Sequence, residues 1–134
     1  MGRTIGAVAA GAAVWAVLWI GGNGGLAAAF PEIIVPERRL DHLPMLLVLI
    51  CYSVVLSVLA GFVTAAVRGR DALGAVRILA GLQLALGILA EVLYWSTLPV
   101  WYHLVFLALI VPATLWGGRL RSGRGTPMAG AGAV

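Results

Sequence analysis

Polar residues are confined to short intervals of this chain, and between them run four apolar stretches, about 5–22, 43–67, 73–98 and 100–118. Each approaches the roughly 20 residues that a helix rising about 1.5 Å per residue needs to cross a hydrocarbon core. The stretches are apolar all round and do not alternate at every second position, so they read as helices and not as strands of a membrane barrel. The pattern predicts an all-α membrane protein: a four-helix transmembrane bundle with antiparallel up-down topology over residues 1–120, then a disordered cytoplasmic tail, 121–134, rich in glycine and alanine.

Small residues recur within the spans at helical spacing. In the first, Gly6 and Ala10, and Ala9 and Ala13, stand four apart, the spacing at which helix backbones approach closely in lipid. Trp15 and Trp19 follow near its far end, and the run Gly21 to Gly25 is expected to stop the helix. Pro31, Pro36 and Pro44 break the next interval, leaving room for a short interfacial segment around Phe30 to Val35. The second and third spans are separated by only a few residues around Arg68 to Asp71, which predicts a helical hairpin. Ser53, Ser57, Gly61 and Thr64 share one face of the second span, and Ala80, Gln83, Gly87, Glu91 and Tyr94 one face of the third. Both faces are expected to turn inward, because lipid tails offer no hydrogen-bond partners. Pro112 is expected to kink or soften the fourth span.

Composition agrees with a membrane setting: 62% of the residues are hydrophobic, 10% are charged, and the mean hydropathy is +1.04. Net charge is +4 and every basic residue is arginine. Arg3, the group Arg68, Arg70 and Arg77, and the group Arg119, Arg121 and Arg124 flank three of the connections or ends. Arg38 and Arg39, by contrast, share their loop with Glu32, Glu37 and Asp41. The positive-inside bias therefore places both termini and the second connection in the cytoplasm of a multi-pass cell-membrane protein, in the inner membrane if the source is bacterial. Arginines that flank spans are no nucleic-acid patch, so the partners expected are the lipid bilayer and either a second copy or another membrane protein. Cys51 is the sole cysteine, so neither an internal disulfide nor a cysteine metal site is expected. The first apolar run, continuing to Gly22, is longer than the usual signal-peptide core, so it is read as a retained helix.

Glu91 carries the strongest chemical signal, because an ionisable group within a span is costly and faces a partner, the bundle interior or a cavity. His103 is expected to approach it across the turn between the third and fourth spans, with Tyr94, Trp95, Trp101 and Tyr102 around the same end. Asp41 and His42 enter the second span at a similar level and join the candidate binding set. Gln83 lies deeper on the Glu91 face, as an interhelical hydrogen-bond partner or part of a polar path. Glu91 and His103 are the candidates for acid–base work, should there be any. No phosphate loop, HExxH, CxxC or serine elbow occurs, and no metal or cofactor is expected. The preferred expectation is a noncatalytic bundle that acts by assembly or partner binding. A lipid-binding or lipid-modifying protein using an outward-facing Glu/His pocket is the first alternative, and an oligomeric proton-coupled or small-solute permease the second.

Overall fold

The computed structural model describes residues 1–124 and is helical throughout its ordered elements, with no strand among the described residues. Four helices, α1 (Gly2–Ala29), α2 (Leu43–Arg68), α3 (Ala72–Leu93) and α4 (Val100–Gly123), are each long and apolar enough to cross a membrane. α2 and α3 each pack against all three other helices, and α1 and α4 flank this central pair. α4 runs past Gly118 to Gly123, taking in residues assigned from sequence to the tail; the rest of the predicted tail, from 125 on, lies outside the described residues.

Large apolar side chains cover the outside, among them Val55, Ile78, Leu89 and Leu104. Seven polar residues of the helices are inside, Ser53, Ser57, Thr64, Gln83, Glu91, His103 and Thr114, while Arg77 stays exposed. This arrangement suits a hydrocarbon solvent, which rewards outward aliphatic groups and offers nothing to a hydroxyl or an amide. The two small and polar faces read from the sequence turn inward as expected, except that Tyr94 caps the end of α3 and swings out.

Glycine sets how closely the helices approach. A Cβ on Gly61 would collide with the Thr114 carbonyl, and one on Gly117 with the Val58 carbonyl, so α2 and α4 meet backbone to backbone. On α1 the packed small residues are Ala7 and Gly11, Gly11 lying against Thr64 and Leu79. Of the pairs Gly6 and Ala10, and Ala9 and Ala13, expected to make such a contact, Ala10 is half-buried and the other three are exposed. Arg68 Nε donates to Thr4 Oγ1 at 3.2 Å, joining the end of α2 to the start of α1. The chain leaves α2 through Gly69, whose φ of 76° is one that a side chain resists.

The glycine run does not stop α1, which continues through it to Ala29. Asn23 Nδ2 donates to the Trp19 carbonyl at 2.7 Å, and the Tyr52 hydroxyl donates to the Leu18 carbonyl at 2.5 Å, with its ring against Gly22. In hydrocarbon a broken turn leaves backbone groups unpaired at several kcal/mol each, which outweighs the roughly 1 kcal/mol that a glycine costs a helix.

The 30–42 connection holds a short turn in the interval Phe30 to Val35 where the sequence left room for a segment. One turn at Phe30, whose carbonyl accepts from the amides of Ile33 and Ile34, folds it back over the bundle end. There Leu40 is buried, and its amide donates to the Thr97 carbonyl at 2.9 Å, stitching the first connection to the third.

Candidate functional site

Glu91 lies in the last turn of α3, and His103 in the first turn of α4. The turn between them is tight: Thr97 returns both its amide and its hydroxyl to the Tyr94 carbonyl, at 3.0 and 2.8 Å, and Pro99 opens α4 by accepting from the Tyr102 amide at 3.0 Å. Two helix ends held this way present their inner faces to each other, and His103 Nδ1 pairs with Glu91 Oε2. Both side chains are buried, His103 at 1% exposure and Glu91 at 6%.

The opposite edge of the imidazole fixes its hydrogen. His103 Nε2 faces the carbonyls of Leu98, at 3.2 Å, and Trp95, at 3.4 Å. Carbonyls only accept, so Nε2 carries a hydrogen and donates it. The Nδ1–Oε2 contact then needs one further proton, since a bare nitrogen against a carboxylate sets lone pair against lone pair. Whether that proton rests on the acid or on the ring, the pair is neutral overall, the cheapest form for two ionisable groups out of water. Trp95 stacks on the ring, centroids 4.7 Å apart and planes within 11°, and Tyr102 meets it edge-on.

A cavity of about 460 Å³ opens beside the pair. Glu91 and Ala90 of α3 form one wall, Trp19 and Asn23 of α1 the facing one, and residues 34–38 with Leu40 form the roof. Tyr102 and Tyr94 add aromatic surface, and Glu37 and Arg38 supply the charges of the roof. The lining is mostly apolar, and the volume is within the ~300–1,000 Å³ typical of small-molecule sites. Glu91 Oε1, the oxygen not paired with His103, takes no hydrogen bond from a described residue. The carboxyl group thus stands between an internal partner and an accessible space.

The structure brings Glu91, His103, Trp95 and Tyr102 together and puts Tyr94 on the cavity rim, itself largely exposed. Asp41 and His42 do not join them. Asp41 pairs with Arg39 at 2.9 Å in the open, and His42 Nδ1 caps α2 by accepting from the Met45 amide at 3.2 Å. Gln83 is also apart: its Oε1 accepts from the Thr114 hydroxyl at 2.6 Å. The layer between it and Glu91 is Gly87, against which Phe106, Leu107 and Ile110 pack. Among the described residues no cluster of His, Cys, Asp and Glu is placed to hold a metal ion.

Sequence reasoning missed Trp19, Asn23 and the roof of residues 34–38 and Leu40 as cavity walls. Nothing local marks them, because they reach Glu91 only through the packing of α1 on α3. Compared with protein families, curated proteins and solved structures, the chain matches none.

Proposed function

We propose that this is a multi-pass membrane protein that binds a small amphipathic molecule in the cavity beside Glu91, the Glu91–His103 pair reading its polar group. Its helices alternate up and down with both termini in the cytoplasm, which puts the cavity at the outer end of the bundle. The carrying observation is that the Glu91 carboxyl group, neutralised by His103 on one side, faces a largely apolar cavity on the other. An acid that served only to tie α3 to α4 would need no such space. The apolar layer of Phe106, Leu107 and Ile110 at Gly87 supports a site closed toward the other end, and so binding more than permeation.

Filling the space tests this without touching the pair. Ala90→Trp is expected to remove a molecule that the natural sequence retains in native mass spectra after gentle detergent extraction. A bound molecule that survives the substitution in a folded protein overturns the assignment.

Assembly is the second reading, and the exposed Gly6, Ala9 and Ala13 face of α1 favours it. In a Cys51→Ser background, Ala9→Cys chains are expected to cross-link to each other in membranes. Their failure to do so while Ala7→Cys, on the buried face, cross-links would contradict that face.

A further inference from the structure

The cavity's chemistry specifies more than an amphipathic occupant. Resting on the binding role proposed above, we infer that the site takes an amphipathic monocation, an ammonium on an apolar body, in exchange for the proton held between Glu91 and His103.

Beyond the Asn23 amide, the Thr97 hydroxyl and the roof charges of Glu37 and Arg38, the cavity offers a polar group aromatic faces and the Glu91 acid. Trp19, Tyr94 and Tyr102 line it together with Glu91. An aromatic face attracts a cation within about 6 Å through its quadrupole, and more strongly when water is excluded. Glu91 Oε1 is left to accept from, or pair with, what enters. Ile20, Leu49 and Leu98 supply apolar walls for the body of the ligand.

The proton exchange is a matter of charge balance. While the pair holds its proton, the group facing the cavity is either a neutral acid or a carboxylate already matched by imidazolium, and a cation entering adds an unmatched charge. Releasing that proton frees the carboxylate to turn from the bare Nδ1 toward the cation, while His103, now neutral, stays held through Nε2 by the Leu98 carbonyl. One positive charge enters and one leaves. The other ionisable groups on the cavity are Glu37 and Arg38 of the roof, which offset each other, and the hydroxyls of Tyr94 and Tyr102; α1 and α2 contribute none. Among the described residues that line the cavity, Glu91, with its partner His103, is the one placed to give up a proton to a cation beside the α3 wall.

The test uses two probes of one shape on the full chain in nanodiscs: benzyltrimethylammonium and its neutral carbon isostere, neopentylbenzene. The quaternary cation carries no proton of its own. The expected result is release of about one proton per bound cation in weakly buffered medium, with affinity rising about tenfold per pH unit while the pair holds its proton. Neopentylbenzene should bind without either effect. Glu91→Gln should abolish cation binding and keep neopentylbenzene, which also reports that the variant is folded. Ala90→Trp should exclude both probes.

Cation binding with no proton release and no pH dependence overturns the exchange, and so does binding of the isostere alone. If neither probe binds the natural sequence, the binding role itself fails. Adding phosphatidylcholine to phosphatidylglycerol nanodiscs separates two sources of the ammonium. Phosphatidylcholine carries a phosphate beside its ammonium and has no net charge, so competition with the cation probe would overturn the monocation class, and no competition is the result expected for a free amphipathic amine.

Discussion

At position 91, what matters is which partner His103 Nδ1 keeps. Glu91→Ala leaves a buried imidazole edge with no partner, and an unsatisfied buried polar group costs about 1–3 kcal/mol, to which the lost side-chain packing adds. Glu91→Gln places an amide N–H where the shared proton stood, and a neutral hydrogen bond replaces the pair at a cost of about 1 kcal/mol. Thermal unfolding in detergent should therefore rank the natural sequence first, Gln close behind and Ala well below. Equal stability of the two variants would mean that Nδ1 does not depend on this partner. Glu91 was legible in the sequence because few charged residues interrupt the spans, and His103 because a twelve-residue separation across a turn leaves little choice of neighbour. The role of His103 Nε2 was not legible: its acceptors are main-chain carbonyls, which any residue supplies.

For the helices, the decisive contacts are those in which a glycine lets one backbone touch another. Gly117 meets the Val58 carbonyl, which is fixed by its own helix and cannot move aside as a side chain would. Gly117→Leu should lower the unfolding midpoint sharply, by the equivalent of about 1–3 kcal/mol for an overpacked core, or more. Gly6→Leu, on an open face, should leave it nearly unchanged. A similar loss from both substitutions would contradict the α2–α4 contact. The sequence revealed that small residues share faces, since spacing alone determines that, but for α1 it suggested Gly6 with Ala10 and Ala9 with Ala13 where the structure buries Ala7 and Gly11. Two sets of small residues on one helix are equally good by spacing, and only the partners Thr64 and Leu79 choose between them. The glycine run was misread because its helix-breaking reputation comes from water, where a freed backbone group finds another partner.

Over the whole molecule, the four spans follow from hydropathy, whereas the cavity arises from long-range packing: α1 lies against α3, and the first connection folds over both. The same packing implies that the roof is structural. Leu40→Asp should loosen it, lowering stability and opening the cavity to water, and protease nicking within 30–42 should rise; unchanged protection would show that the roof does not depend on Leu40. Orientation is checked with cysteines in a Cys51→Ser background. A membrane-impermeant thiol reagent on intact cells should label Glu32→Cys and spare Ser122→Cys, and the reverse labelling would invert the bundle. That Glu91 faces an accessible apolar space is the central claim, and it is tested most directly by dicyclohexylcarbodiimide, an apolar reagent for protonated carboxyl groups, with peptide mass mapping afterwards. Glu91 should be modified ahead of Glu32, Glu37 and Asp41, and Ala90→Trp should protect it. An unmodified Glu91 in the natural sequence, or labelling unaffected by Ala90→Trp, would contradict the claim.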